Sequence, residues 1–159
     1  MATAVLTRAS AAQDKGRMPL HMLKLSVGSE SVQDLAEWWN EQERAFRKAG
    51  RPGRIVHTTR MVPKRAAEIL DGGSMYWVIK GQILVRQLIL DIEPFTASDG
   101  IGRCHIVLDR NLVAVAPRPK RAFQGWRYLP PKDAPPDLRQ AKGDTPPELA
   151  RELAELGLL

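Results

Sequence analysis

Three cations lie close together in the sequence at the start of a predicted short helix. Pro63 is a residue type that favours the first helical turn. Arg60 precedes it, and Lys64 and Arg65 follow it. Cations are unfavourable in a first turn because the unpaired backbone N–H groups there already carry partial positive charge. An anion would relieve that repulsion. The spacing therefore predicts a phosphate or carboxylate site at Arg60, Lys64 and Arg65, the alternative being that Lys64 and Arg65 are two solvated cations.

A second basic segment combines cations with aromatic rings. Four basic residues and no acidic residue fall between positions 118 and 127. Arg and Lys neutralise phosphates, and aromatic rings stack on unpaired bases. The segment therefore predicts nucleic-acid binding, with RNA as the favoured partner. The alternative is that the rings cover the sheet and the cations are solvated. The candidate residues here are Arg118, Lys120, Arg121, Trp126, Arg127 and Tyr128.

Patterns typical of catalysis or metal binding are weak. Cys104 and His105 are neighbours, and neighbours in a strand point to opposite faces. His21, His57 and His105 lie on separate predicted strands without metal-ligand spacing. The Gly-Gly-Ser-Met segment at 72–75 runs from helix to strand, the reverse of a nucleophile elbow. We therefore expect no catalytic residue, metal or cofactor, and an enzyme of unfamiliar geometry stays open as an alternative.

Composition and charge limit the class of protein. The 159 residues are 43% hydrophobic and 26% charged, which is typical of a globular chain, and the apolar runs are too short for a membrane helix. The single cysteine excludes an internal disulfide and suits a reducing compartment. The net charge of +6 favours anionic partners. We expect a cytoplasmic protein that binds nucleic acid or a small anionic ligand, and no membrane.

The elements that must position these residues are mostly strands. A helix capped by Ser31 and ended by Gly50 carries an apolar face, and the adjacent Trp38 and Trp39 lie on it, as core or as ligand-stacking residues. Both faces of the predicted strand at residues 83–92 are apolar, which predicts that this strand lies at the centre of the sheet and is covered on both sides. The other predicted strands span residues 20–27, 54–61, 75–79, 103–108 and 112–115.

This order of elements predicts an α+β fold. The sheet would be strongly curved and antiparallel, or a small β-barrel, with one N-terminal docking helix, one short inserted helix and a C-terminal helix. Residues 1–17 are predicted to be a mobile extension and residues 18–132 a single domain. Residues 133–159 are predicted to be a Pro-rich linker and an acidic helix. Its leucines at 149, 153 and 156 would dock on the domain, recruit a second subunit, or leave an acidic arm that competes with polyanions.

Several long motifs carry a family resemblance. They are LHMLKL at residues 20–25, HTTRMVPKRA at 57–66, LDGGSMYWVIKG at 70–81, LDIEP at 90–94 and FQGWRYL at 123–129. With these motifs the chain resembles, over about residues 18–138, the family catalogued as domain of unknown function 1489. The resemblance implies an alphaproteobacterial, cytoplasmic protein and supplies no established activity.

The chain is more distantly similar to PUA-like barrels, including the ASCH group. Those folds also place a short helix ending in glycine before a barrel strand, and many of them bind RNA or modified bases. The chain lacks the G-x-K-x-x-E-x-R run of the ASCH pattern. RNA binding is therefore implied by analogy of fold alone. The rival hypothesis is a binder or enzyme that takes a phosphorylated or carboxylated metabolite in the same anion pocket.

Overall fold

The computed structural model describes residues 18–138, so predictions about residues 1–17 and the C-terminal helix lie outside the described residues. Two α-helices and seven strands make up this part of the chain. In order they are β1 (His21–Leu25), α1 (Val32–Lys48), β2 (Ile55–Thr59), α2 (Ala66–Ile69), β3 (Ser74–Ile79), β4 (Gln82–Thr96), β5 (Gly102–Leu108), β6 (Val113–Pro119) and β7 (Trp126–Leu129), followed by a 3₁₀ turn at Pro131–Asp133.

All seven strands join one open, curved sheet in the order β2-β5-β4-β3-β1-β7, with β6 also paired to β4. The prediction of an α+β fold is confirmed. The sheet is mixed, however, because β1 and β3 are parallel. A parallel pair needs a long crossover, and here the crossover contains α1, β2 and α2. The prediction of a wholly antiparallel sheet is therefore wrong for the pair β1 and β3.

The curvature comes mainly from β4. This 15-residue strand pairs with β6 through its first half and with β5 through its second half. The pairing register shifts between Ile83 and Val85, and again between Ile89 and Asp91. Such bulges bend a strand and increase its twist. The bent sheet brings the His57 ring of β2 to 5.5 Å from the Trp77 ring of β3.

Helix α1 begins and ends as its sequence predicts. The Ser31 Oγ accepts a hydrogen bond from the Asp34 backbone N–H at 3.1 Å, and Gly50 follows the helix with a positive φ of 77°. Val32, Leu35 and Trp39 are buried in the main core. Helix α1 thus covers one side of the sheet with its apolar face.

The most deeply buried strand is β3, all six of whose residues are buried. Met75 and Trp77 belong to the main core beneath α1, whereas Tyr76 and Val78 belong to a second apolar cluster. In β4 only alternate positions are fully buried over most of its length. Strand β4, which contains the segment 83–92, is central as predicted, since it pairs with β3, β5 and β6, but the strand that is buried on both faces is β3. At the β3–β4 turn Lys80 and Gly81 both have positive φ, as a two-residue hairpin of this kind requires.

A buried polar network attaches the end of the described chain to the sheet. The Arg86 guanidinium donates two hydrogen bonds of 2.8 Å to the Asp137 carboxylate and a third of 3.1 Å to the Ser74 hydroxyl. His21 accepts a hydrogen bond from the Ser74 backbone N–H through Nδ1 at 3.0 Å. Residues 134–138, which lie within the predicted linker, also bond to the β6 backbone, and Leu138 enters the core.

None of the helices within residues 18–138 has the length and apolar character that crossing a membrane would require.

Candidate nucleic-acid interface

The structure brings the two predicted basic segments into contact. The Trp126 indole Nε1–H donates a 2.9 Å hydrogen bond to the Met61 carbonyl oxygen. The Arg65 backbone N–H donates a 3.1 Å bond to the Tyr128 hydroxyl. Residues 60–65 follow β2, whereas Trp126 and Tyr128 belong to β7, so these bonds link segments more than 60 residues apart. The loop of residues 60–65 and strand β7 therefore form one continuous surface.

Successive side chains of β7 point to opposite faces of the sheet. Trp126 and Tyr128 face the main core, and their rings meet edge to face at 4.9 Å. Trp126 is only 6% exposed, so its indole has no open face on which a base can stack. Tyr128 is half-buried. Of the two predicted stacking residues, Trp126 is thus a packing residue, and Tyr128 keeps a partly open ring.

Helix α2 is shorter than the helix that the sequence predicted to begin at Pro63. It has four residues, and Arg65 lies immediately before it. The backbone N–H of Arg65 is already bonded to Tyr128. The Arg65 side chain makes two bonds of 2.7 Å to the Glu68 carboxylate, which lowers the pKa of Glu68 and raises that of Arg65. The repulsion predicted at this terminus is therefore relieved within the chain, and no anion is needed to explain it.

The remaining cations of this surface have no such partner. Arg60 and Lys64 are exposed, and neither forms an ion pair or hydrogen bond within residues 18–138. Arg127 points to the opposite face of β7, where its guanidinium lies 4.6 Å from the Phe123 ring centroid. Arg60 and Lys64 are thus available to a polyanion on this surface, Arg65 is shared with Glu68, and Arg127 lies on the other face of β7.

The other three predicted residues lie apart from this surface, beside the β3–β4 turn. The Lys120 backbone N–H donates a 2.8 Å bond to the Gly81 carbonyl oxygen. The Arg118 side chain bonds to the Asp133 carbonyl oxygen, and Arg121 is exposed. The nine predicted residues therefore divide into two groups, of which only the group at 60–65 and 126–128 is joined by hydrogen bonds.

An aromatic cavity lies between helix α1 and the sheet. It has a volume of about 220 Å³, and four elements contribute to its wall. Trp39 from α1 and Trp77 from β3 form its floor, since both are nearly fully buried. Trp38 is 58% exposed and stands at its edge. The polar part of the lining consists of Lys24 of β1, His57 of β2, and Ser26 and Ser29 between β1 and α1. We call this cavity the tryptophan pocket.

Two residues that line the tryptophan pocket each carry a buried polar atom that is closed to solvent and has no hydrogen-bond partner within residues 18–138. These atoms are the Trp39 Nε1 and the His57 Nε2. Buried polar atoms are nearly always partnered in native proteins, so such a pair of exceptions needs an explanation. Burial, assisted by the charge of Lys24, lowers the pKa of His57 to about 4. Burial also lowers the pKa of Lys24.

Sequence reasoning did not find this pocket. The tandem Trp38 and Trp39 suggested ligand stacking as one of two alternatives, and that signal was correct only in locating an aromatic pair on α1. Nothing in the spacing of Lys24, His57 and Trp77 indicates that three different strands bring them to the same helix. Their meeting depends on the curvature of the sheet.

Cys104 and His105 have separate surroundings on β5. Cys104 is fully buried, and burial raises the pKa of its thiol to about 11. His105 stacks on Phe95 with ring centroids 4.2 Å apart and contacts the Thr58 hydroxyl at 3.1 Å. Among residues 18–138, no three His, Cys, Asp or Glu side chains cluster in a way that could hold a metal ion.

These features define the protein as an α+β protein with an open curved sheet, a basic edge and an aromatic pocket. A family model matches residues 22–159, nearly the whole chain. The protein therefore belongs to the family described as "Protein of unknown function (DUF1489)", and the resemblance found in its motifs is confirmed. No curated protein and no solved structure matches the chain.

Proposed function

We propose that this protein binds nucleic acid, with single-stranded RNA as its partner, through the surface formed by residues 60–65 and β7. The observation that carries the proposal is the pair of hydrogen bonds from Trp126 to Met61 and from Arg65 to Tyr128. These bonds hold two basic segments side by side. A distant likeness to PUA-like barrels, drawn from a short helix that ends in glycine before a strand, supports the same function by analogy of fold alone. We place the activity in the bacterial cytoplasm, which suits a chain with one cysteine.

The electrostatics of the surface favour a flexible polyanion. Arg60 and Lys64 can each take a phosphate without breaking an ion pair or a side-chain hydrogen bond within residues 18–138. The ion pair between Arg65 and Glu68 is exposed, and exposed pairs add little net stability, so a phosphate can compete for the Arg65 guanidinium. The net charge of +6 attracts a polyanion over a longer range.

The salt dependence of binding tests the proposal. Fluorescence anisotropy of a labelled single-stranded RNA of mixed sequence would be measured between about 50 and 200 mM salt. Each phosphate contact on a single strand contributes about −0.7 to the slope of log K against log salt, so Arg60, Lys64 and Arg65 together predict a slope of about −2. A shallow slope near −0.7 would favour a small phosphorylated or carboxylated metabolite and contradict the proposal. The same assay with DNA of matching sequence tests the preference for RNA.

Charge reversal locates the surface. The double variant Arg60→Glu, Lys64→Glu should weaken RNA binding at least about 10-fold and make the salt slope shallower by about 1 to 2. The matched control is Arg44→Glu, Lys48→Glu, which makes the same change in net charge on the exposed side of α1. The control should lose less than about 3-fold. Equal losses in both variants would show that net charge alone, and not this surface, attracts the RNA.

A further inference from the structure

The tryptophan pocket holds a positive charge that no group within residues 18–138 neutralises. The Lys24 side chain lines the pocket, is half-buried, and forms no ion pair or hydrogen bond in the described part of the chain. The charge of Lys24 lowers the pKa of His57, a second lining residue, which places the ammonium group near the His57 ring. Partial burial of an ammonium group without a counter-ion is unfavourable. The pocket therefore favours an anion.

The rest of the lining is neutral. His57 is uncharged at pH 7 because its pKa is about 4, and the other polar lining residues are two serines. A neighbouring groove shares Trp38 with the pocket and is lined by three acidic residues, none of which pairs with Lys24: Asp34, Glu37 and Glu41. A single positive charge in a neutral lining favours a ligand that carries a single negative charge.

The walls of the pocket favour an apolar, flat ligand body. Trp39 and Trp77 are almost fully buried, whereas Trp38 is 58% exposed and keeps part of its ring open. Aromatic rings stack on one another or meet edge to face. A quaternary ammonium group also binds to aromatic rings, but Lys24 would repel it. The indoles are joined in the lining by three aliphatic side chains, those of Leu25, Val27 and Leu35.

The size of the pocket limits the ligand further. Its volume of about 220 Å³ is below the roughly 300–1,000 Å³ of pockets for drug-sized ligands, so one or two fused rings fit best. The anionic group is better a carboxylate than a phosphate monoester. A phosphate monoester carries about −1.5 to −2 charges at pH 7, of which one lysine would leave part unpaired.

We infer that the tryptophan pocket binds a small aromatic carboxylate, whose ring lies against Trp38 and whose carboxylate pairs with the Lys24 ammonium. The inference goes beyond the proposed nucleic-acid binding and does not depend on it, because the pocket includes no residue of the surface at 60–65 and β7. The protein would thus have a small-molecule site in addition to its basic surface.

Matched pairs of probes test the inference by isothermal titration calorimetry. Benzoate and benzamide have the same shape and differ in charge, and naphthoate and naphthamide form a larger pair. At least one acid should bind, about 10-fold more tightly than its amide, as a hydrogen bond to a charged group predicts. Equal affinity of the acids and their amides, or no binding of either acid up to about 1 mM, would overturn the inference. Neither result affects the proposed function, which the salt slope of RNA binding tests separately.

Lys24→Met tests the charge, because it removes the ammonium group and keeps an unbranched side chain. The variant should bind the acid about 10-fold more weakly and the amide as well as the wild type does, so that the preference for the acid disappears. The matched control is Lys48→Met, which makes the same change in net charge at the exposed end of α1 and should keep the preference. Loss of the preference in both variants, or in neither, would contradict the inference.

Trp38→Ala tests the ring. Its loss should weaken binding of the acid and the amide alike, by about 3- to 10-fold, because stacking does not depend on the charge of the ligand. The matched control is Met61→Ala, since Met61 is 60% exposed and lies outside the pocket. Equal losses in the two variants, or unchanged affinity in Trp38→Ala, would overturn the inference. Tryptophan fluorescence gives an independent measure of binding, since three of the four tryptophans line the pocket.

Discussion

Acidification from neutral pH should destabilise this protein, and His21 should account for a large part of the effect. His21 is 8% exposed, and its Nδ1 accepts a hydrogen bond from the Ser74 backbone N–H. The neutral ring therefore carries its proton on Nε2. Burial, and secondarily the charge of Arg86, lower the pKa of His21 from 6.5 to about 4, while the Asp137 carboxylate opposes this shift.

The sign of the effect follows from proton binding. Between pH 6.5 and about pH 4 the unfolded chain binds a proton at His21 and the folded chain does not, so acid favours unfolding. The stabilising contribution of the neutral ring is complete above pH 6.5 and decreases as the pH falls towards 4. A pKa difference of this size corresponds to about 3.4 kcal/mol in full, of which about 2 kcal/mol is lost between pH 7 and pH 5.

The assay compares urea unfolding of the wild type and His21→Asn at pH 7 and pH 5. Asparagine keeps an acceptor near the position of Nδ1 and does not titrate. The variant should lose about 2 kcal/mol less than the wild type over this interval, and it retains the further loss that His57 contributes through its own low pKa. A difference below about 0.5 kcal/mol would refute the reasoning. An NMR titration that shows His21 becoming protonated near pH 6.5 in the folded protein would refute it as well.

Two further predictions concern the attachments of the fold. Asp137→Asn breaks the two-bond contact with Arg86 and should lower the free energy of unfolding by about 1–3 kcal/mol in chemical denaturation, while the exposed Asp133→Asn should change it by less than about 0.5 kcal/mol. Gly73→Ala should cost at least about 2 kcal/mol, because the added Cβ would lie closer than 3.0 Å to two backbone carbonyl oxygens. Gly102→Ala, with open space at its Cβ, should be nearly neutral, and equal effects of the two alanines would contradict the packing argument.

Local patterns were sufficient for the elements that depend on near neighbours in the chain. The ends of helix α1 were predicted correctly from Ser31, Asp34 and Gly50, because capping involves atoms only three or four residues apart. The tight turn at Lys80 and Gly81 depends on backbone preferences in the same way. The motifs that indicated the family are also readable along the chain, and they were correct.

For the candidate surface, residue types predicted the cations but not their surroundings. Arg60 and Lys64 lie exposed as expected. The ion pair between Arg65 and Glu68 was not predicted, although the two residues are only three positions apart in the chain. The burial of Trp126 depends on the contact between β7 and the loop after β2. This contact joins Trp126 to Met61, which lies 65 residues earlier in the chain.

Residue order along the chain therefore established the class of fold, the boundaries of helix α1, the excess of cations and the family. The folded molecule established the parallel pairing of β1 with β3, the division of the nine basic and aromatic residues into two groups, and the tryptophan pocket. The physical reason is that periodicity reports which side of an element is buried and carries no information about which other element lies against it. That partner is set by the bulges and crossover that curve the sheet, and these act over the whole domain.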